Sequence, residues 1–318
     1  MDFSGMTISG GVSIVPPVPP AEKKAIFGYG RISDNSDVSI TNLVSNTGVV
    51  ANDTSGVGTA RDLLSAASYG SDKAIFGYGF GANYSSVTNL VSNTGVVGND
   101  VTGVGTARYG LAAAGYGTDK AIFGFGTTGA VTAVTNLVSN TGVVATDTAG
   151  VGFARQILAA AGYGTDKAIF GYGDGGGSYR SMTNLVSNTG VVASDTTGVG
   201  TARNGLAAAG YGTDKAIFGY GIGVNGLVPL SMTNLVSNTG VVATDTSGVG
   251  TGRSCLAAAG YSTDKAIFGY GLANSGGGGS YVPVVVSMTN LVSNTGVVAT
   301  DTTGVGTVRQ QLAAASYG

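Results

Sequence analysis

The sequence predicts an all-β fold, a six-bladed β-propeller whose blades are four-stranded antiparallel sheets. A Lys-Ala-Ile-Phe-Gly segment recurs six times along the 318 residues, and propeller blades are typically ~40–50 residues long. Glycine accounts for 57 residues and charged residues for 10%, and no stretch sets a charged face against an apolar one at helical spacing. The two ends of the array carry different strands of one blade. The copies begin at Lys24, Lys73, Lys120, Lys167, Lys215 and Lys265.

Each copy divides into four short strand segments. Strand a is 111–116 in the second copy, and the segments that follow it are strand b (120–125), strand c (135–139) and strand d (143–147). Gly-Thr-Asp joins a to b and Ser-Asn-Thr-Gly joins c to d, and both contain residues favoured in tight hairpin turns. The segments are continuous apolar runs, as expected of sheets covered on both faces. Because strand a is nearly all Ala and Gly, we expect it at the crowded axis.

The order of strands predicts closure of the ring. The array starts at strand b with Lys24 and finishes with a strand a at 312–317. The C-terminal strand can therefore pair into the first blade and remove the exposed seam of an open ring. The alternative fold is a β-solenoid or fibre shaft. A solenoid does not predict this end register, and it predicts length variation at several loops, whereas here the variation concentrates in one.

Segment 108–126 resembles a kelch motif. It reads Arg-Tyr-Gly-Leu-Ala-Ala-Ala-Gly-Tyr-Gly-Thr-Asp-Lys-Ala-Ile-Phe-Gly-Phe-Gly, a strand, a turn, an aromatic strand and a glycine pair. The pair is split by an aromatic residue, and the Trp of kelch repeats is missing. The resemblance extends over all six repeats and implies a propeller architecture. It implies no activity, since kelch propellers include enzymes, scaffolds and adhesins.

Composition argues against several function classes. The net charge is −2 with no basic cluster, which disfavours nucleic acid as a partner. No apolar run approaches the ~18 residues of a membrane span, and the N-terminus lacks the features of a signal peptide. The absence of His removes the commonest general base and metal ligand. We therefore expect no enzyme activity, no cofactor and no metal. The acids outside the repeat pattern are scattered along the sequence: Asp2, Glu22, Asp34, Asp37, Asp62 and Asp174.

An Asp and an Arg recur in every copy, eight residues apart. Such pairs could line a channel or bind a ligand, but groups repeated in every blade are better explained as contacts that hold neighbouring blades together. If buried, loss of one partner should cost ~3–5 kcal/mol, and if exposed ~0–1 kcal/mol. The pairs are Asp53 and Arg61, Asp100 and Arg108, Asp147 and Arg155, Asp195 and Arg203, Asp245 and Arg253, Asp301 and Arg309.

Three other features have a functional and a structural interpretation. Asp34 with Asp37, and Asp174 before three glycines, could suggest calcium, but neither lies in a calcium-loop pattern, so we interpret them as solvated loop acids. Cys255 stands where Gly110 and Gly205 stand in sibling copies. We interpret it as a small buried residue, since no His is present to activate it as a nucleophile.

The segments between Gly-Tyr-Gly and Thr-Asn-Leu-Val differ in length and sequence from copy to copy. In an up-and-down blade these b–c connections emerge on one face. A constant frame with one variable rim that contains tyrosines is typical of a recognition surface. The alternative is that the loop sequences vary because nothing constrains them. The candidate binding residues are Tyr84, Tyr179, Arg180, Tyr281 and Val284.

Residues 1–22 precede the repeats, which occupy residues 23–318. The leader contains Pro16-Pro17-Val18-Pro19-Pro20, expected to be an extended spacer, after an alternating segment that is either a strand or a disordered tail. The leader and the repeats resemble segments of structural proteins of tailed bacteriophages, particularly phages of cyanobacteria. The resemblance implies a virion protein assembled in the host cytoplasm, anchored to tail or capsid through residues 1–22, with the loop face contacting a host-surface receptor, a glycan or a neighbouring subunit. The alternatives are a cellular kelch-type interaction scaffold and, less favoured, a lectin or an enzyme.

Overall fold

The computed structural model describes residues 22–224, 228–276 and 281–318, and these form an all-β structure. Among the described residues there is no helix, and hence none that could cross a membrane. Six three-stranded antiparallel sheets account for the repeats, and two smaller sheets lie in the fifth and sixth repeats. The leader residues 1–21, including the predicted extended spacer, lie outside the described residues.

Every one of the six sheets has an inner, a middle and an outer strand, and the middle strand pairs with both others. The inner strands are β3 (Ser65–Tyr69), β6 (Ala112–Tyr116), β9 (Ala159–Tyr163), β13 (Ala207–Tyr211), β18 (Ala257–Tyr261) and β23 (Ala313–Tyr317). The middle strands are β1 (Lys24–Gly28), β4 (Lys73–Gly77), β7 (Lys120–Gly124), β10 (Lys167–Gly171), β14 (Lys215–Gly219) and β19 (Lys265–Gly269). The outer strands are β2 (Thr41–Val44), β5 (Thr88–Val91), β8 (Thr135–Val138), β11 (Thr183–Val186), β16 (Thr233–Val236) and β22 (Thr289–Val292).

The two smaller sheets extend the loops after β14 and β19. One consists of β12 (Arg203–Asn204) and β15 (Ile222–Gly223), and the other of β17 (Arg253–Ser254), β20 (Leu272–Asn274) and β21 (Pro283–Val285). In the other four repeats the same positions form isolated bridges, such as Asp62 with Phe80.

The predicted pairing of the C-terminal strand with the first repeat is confirmed. β23 lies antiparallel to β1, with Lys24 opposite Tyr317 and Gly28 opposite Ala313. This register equals that of the chain-adjacent pair β6 and β7, where Tyr116 lies opposite Lys120. The first sheet, β2-β1-β23, therefore joins the two ends of the repeat array.

The predicted fourth strand of each repeat is wrong. Segment 143–147 makes one isolated bridge with β8, between Val138 and Val144, and a second bridge, between Thr135 and Thr148, lies just beyond it. The reason is the fully buried Asn136 of β8, whose side-chain amide donates to the carbonyl of Ala145 at 3.0 Å and to Asp147 at 2.8 Å. The Asn136 side chain thus takes the place of backbone hydrogen bonds that a fourth strand would make with β8.

Neighbouring sheets are linked in a closed cycle. Each inner strand contacts the inner strand of the sheet on either side, in the order β3, β6, β9, β13, β18, β23 and back to β3. One residue per repeat, just before the inner strand, has positive φ and donates its backbone N–H to the carbonyl of the preceding repeat's equivalent. We call these six residues the axial ring: Leu63, Gly110, Ile157, Gly205, Cys255 and Gln311. The bond from Leu63 to Gln311 closes the cycle at 2.9 Å.

The hydrophobic core is divided into six clusters, each lying between two adjacent sheets. Phe123 of β7 packs against the preceding sheet, with its ring centroid 5.0 Å from that of Tyr78. A Cβ at Gly77 would lie 2.7 Å from the Phe123 ring, so only glycine allows this close approach. In the repeated Ile-Phe-Gly sequence, the phenylalanine ring therefore packs against the preceding sheet, and the glycine leaves space for the phenylalanine ring of the following sheet.

Candidate functional site

The connections between strands form two different ends of the molecule. The constant face consists of the turns between inner and middle strands together with the Ser-Asn-Thr-Gly-Val turns after the outer strands. These turns touch, since Asn140 donates to Asp119 at 3.1 Å. The variable face consists of the loops between middle and outer strands, which surround the axial ring. The sequence-predicted binding residues belong to the variable face.

A buried arginine in each repeat joins two sheets beneath the variable face. Arg108 is fully buried, donates to the carbonyl of Phe125 at 2.9 Å and to Asn136 at 2.6 Å, and stacks over the ring of Tyr78. Burial raises the pKa of Tyr78 to about 12, although the nearby Arg108 opposes this, so the phenol stays neutral. Sequence analysis did not identify the asparagine as the arginine's partner; the signal was a polar residue repeated inside an apolar strand.

The predicted pairing of each Arg with the Asp eight residues before it is wrong, because the arginine lies near the Asp of the following copy instead. Arg108 lies 4.0 Å from Asp147 of the following repeat, and the equivalent separations are 3.6 Å for Arg155 and Asp195 and 3.8 Å for Arg203 and Asp245. The carboxylate instead accepts from the backbone N–H and hydroxyl of a threonine, as Asp100 does from Thr59.

Those hydrogen bonds set the acidity of the repeated aspartates. Burial alone would raise the pKa of Asp100, but the bonds from Thr59 and Asn89 outweigh it and hold the pKa below its usual value. The contact between repeats is thus an Asp–Thr link beside an Arg–Asn link.

The variable face brings together acids that are scattered in the sequence. Arg31 Nε lies 3.0 Å from an oxygen of Asp37 and 2.9 Å from one of Asp62. Asp62 lies just before the inner strand of the next sheet and is fully buried, and burial followed by the neighbouring charge of Asp37 raises its pKa to about 6. We call Arg31, Asp37 and Asp62 the charged trio.

One junction further, the same three positions hold aromatic residues. Phe80, Tyr84 and Tyr109 contact one another with ring centroids 5.3–5.8 Å apart, and Tyr84 is 40% exposed. Phe80 follows Gly-Tyr-Gly as Arg31 does, Tyr84 bridges Phe80 as Asp37 bridges Arg31, and Tyr109 precedes the axial ring as Asp62 does. We call these residues the aromatic trio.

Phe153 and Arg180 also differ from the residues of the other copies, and they contact each other. Phe153 stands where other copies have Thr, as at Thr59, and the guanidinium of Arg180 lies 4.6 Å from the centre of its ring. Tyr179, next to Arg180, bridges Asp174. Two of the sequence-predicted binding residues thus lie in one loop that folds against the preceding repeat.

The remaining sequence-predicted residues lie elsewhere on this face. Val284 is 39% exposed and pairs with Ala273 between β20 and β21, and Tyr281 lies in the same loop. Tyr84, the Tyr179–Arg180 pair and the Tyr281–Val284 pair belong to the second, fourth and sixth repeats. The structure therefore spreads the candidates around the rim.

Metal and nucleophile interpretations find no geometry in their favour. Among residues 22–224, 228–276 and 281–318, no three acidic or cysteine side chains converge on a metal position. Asp34 accepts from the backbone of Ser36 and Asp174 from that of Gly177, which are ordinary turn contacts. Cys255 occupies a position of the axial ring equivalent to Gly205, and burial raises its thiol pKa to about 11, the wrong direction for a nucleophile.

At the constant face, the axis opens into a cavity of about 240 Å³. Its wall contains one tyrosine from each inner strand, at Tyr69, Tyr116, Tyr163, Tyr211, Tyr261 and Tyr317, together with lysines from the middle strands. The tyrosine rings are turned under the outer turns, since a Cβ at Gly142 would lie 2.9 Å from the Tyr69 ring. Burial raises the pKa of Tyr69.

Comparison of the chain with protein-family models and with curated proteins finds no match.

Proposed function

We propose that the six sheets are the blades of a six-bladed β-propeller and that the chain is a non-enzymatic recognition protein of a virion. Residues 1–22 would attach it to the tail or capsid, and the variable face would contact a host-surface receptor or another subunit. The observation that carries the recognition role is that length variation among the copies concentrates in the loops of one face of an otherwise repeated structure.

The blade assignment is supported by the two cyclic features of the fold. The inner strands contact one another in a cycle of six, and the axial ring closes on itself through six backbone hydrogen bonds. Radial repetition with few exposed strand edges is the principle of a propeller. Removal of residues 312–318 would unpair β1 from β23, and we expect loss of cooperative unfolding. An unchanged melting temperature would contradict the propeller assignment.

The recognition role is supported by the exposed apolar and aromatic side chains of the variable face. Tyr84 and Phe153 are each 40% exposed, Val224 is 68% exposed and Val228 is 56% exposed. Such side chains supply contact area to a partner at low entropic cost. Their distribution over several repeats favours a broad macromolecular partner over a small ligand.

The binding role is tested with fluorescently labelled protein on cells of the host. We expect Val224→Asp with Val228→Asp to reduce binding at least tenfold while the melting temperature stays unchanged. A matched control is Asn52→Asp with Thr300→Asp, exposed positions outside the variable loops. Equal binding by all three proteins would contradict a role for the variable face.

The virion class rests on the resemblance of the leader and repeats to tailed-phage structural proteins. The test is mass spectrometry of purified particles from the source culture. We expect peptides of the chain at structural stoichiometry, and we expect a variant lacking residues 1–22 to fold but to be missing from particles. Absence of the full chain from particles, with the protein free in the lysate, would contradict the virion role and favour a cellular scaffold.

A further inference from the structure

The constant face carries a circle of exposed valines. One valine follows the glycine of each outer turn, and its side chain points into solvent although its backbone is hydrogen-bonded to the turn's serine. The six are 65–66% exposed: Val49, Val96, Val143, Val191, Val241 and Val297. Single exposed apolar side chains are common on proteins, but a six-membered set at equivalent positions forms a repeated surface.

These valines are identical in all copies, whereas nearby exposed positions have changed. Three residues beyond each valine, the exposed side chain is Asn, Thr or Ser: Asn52, Asn99, Thr146, Ser194, Thr244 and Thr300. Six beyond, it is Ser, Thr or Ala: Ser55, Thr102, Ala149, Thr197, Ser247 and Thr303. Other residues of the turn have contacts that fix them, as Ser45 does through Val49 and Thr47. The valine side chain, in contrast, is exposed to solvent, so contacts within the fold do not explain why it is the same in all six copies.

The charges beside the valines alternate in sign. Five middle strands begin with a lysine paired to the preceding aspartate, with Nζ–Oδ distances of 2.6–3.1 Å. The lysines are 41–44% exposed and the aspartates 24–31% exposed, so both signs face solvent. At the sixth position Lys23 precedes Lys24. A circle in which both signs recur at five of six steps is complementary to a copy of itself after a small rotation.

We propose that the constant face docks against the constant face of a second copy of this chain. Six apolar sites on a circle require a partner with six sites at the same spacing, which a second copy has by construction. Two facing circles bring valines into contact and offer an aspartate to each of the five paired lysines. The symmetry is isologous, so the assembly ends at two copies, and both variable faces remain outward. The inference does not depend on the proposed virion role.

The test is the mass of the purified chain in solution, measured by light scattering and analytical ultracentrifugation between about 1 and about 100 µM. We expect the mass to rise to twice that of the monomer. The variant with Val49→Asp, Val143→Asp and Val241→Asp should stay monomeric with an unchanged melting temperature. The control with Val224→Asp and Val228→Asp should dimerise as the parent does.

Three results would overturn the proposal. The parent chain could remain monomeric over the whole range, the control could lose the dimer while the triple variant keeps it, or the assembly could grow beyond two copies. Failure of the triple variant to fold is resolved by Val49→Thr, Val143→Thr and Val241→Thr, which keep the side-chain size and replace a methyl group by a hydroxyl. None of these results bears on whether the chain occurs in particles, so the two proposals fail separately.

Discussion

The two faces of the molecule solve the contact between neighbouring repeats in different ways. On the constant face, every junction has the same contacts, such as the glycine of an outer turn over the tyrosine of the preceding sheet, as with Gly142 and Tyr69. On the variable face, equivalent positions hold charges at one junction and aromatic rings at the next. Part of the sequence variation on the variable face therefore replaces one set of mutually contacting residues by another. Variation on the surface of a repeat protein therefore indicates recognition only after contacts between repeats are accounted for.

The largest effect should come from breaking the buried arginine contact that every repeat contains. Arg108→Met leaves Asn136 and the carbonyl of Phe125 without a buried donor, and we expect the free energy of unfolding to fall by about 3–5 kcal/mol in denaturant titrations. Asp147→Asn is the control, because that side chain is 32% exposed and should cost about 1 kcal/mol or less. Equal losses would restore the ion pair as the main link.

The charged trio gives the next effect, and its sign depends on pH. The pKa of Asp62 is raised to about 6, so the folded state binds a proton that the unfolded chain releases, and stability from this group falls as pH rises from about 4 to about 6. Asp62→Asn should therefore stabilise the protein at pH 7 by on the order of 2 kcal/mol, and by much less at pH 4. A stabilisation independent of pH, or a loss at pH 7, would contradict the assignment.

The aromatic trio should show coupling between its members. In a double-mutant cycle, Tyr84→Ala and Tyr109→Ala should couple by about 0.5–1.5 kcal/mol, since their rings are in contact across a junction. Tyr84→Ala with Tyr179→Ala, in a different repeat, should be additive within error. Coupling of the second pair as strong as the first would mean that the junctions are not independent.

The smallest effect is expected at Phe153. Arg180→Ala should cost about 0.5–1 kcal/mol in the parent, through the lost stacking, and close to nothing once Phe153→Thr has restored the residue of the other repeats. The threonine also regains a hydroxyl that can donate to Asp195, as Thr106 donates to Asp147. Undiminished loss in the threonine background would show that Arg180 is held by other contacts.

Much of the frame could be predicted because it follows from short-range chemistry. Apolar runs, turn glycines and the order of strands at the two ends located the inner, middle and outer strands and the pairing of β23 with β1. The fourth strand was overpredicted because the sequence does not show that Asn136 reaches across to Ala145. The charged trio was missed because Asp37 and Asp62 adjoin strands of different sheets, and their distance depends on how adjacent sheets are placed.

The matched trios also define which piece of the gene can be exchanged. Arg31, Asp37 and Asp62 stay together only in a fragment running from the end of one middle strand to the start of the next inner strand, and Phe80 to Tyr109 is the corresponding fragment one junction on. Recombination within the stretches that encode the repeated Lys-Ala-Ile-Phe-Gly would move each trio whole. Recombination within the stretches that encode the repeated Thr-Asn-Leu-Val would split it, placing an aspartate against an aromatic pair. The unit of exchange thus spans two sheets, and shuffling keeps the trios whole along only one of the two shared stretches.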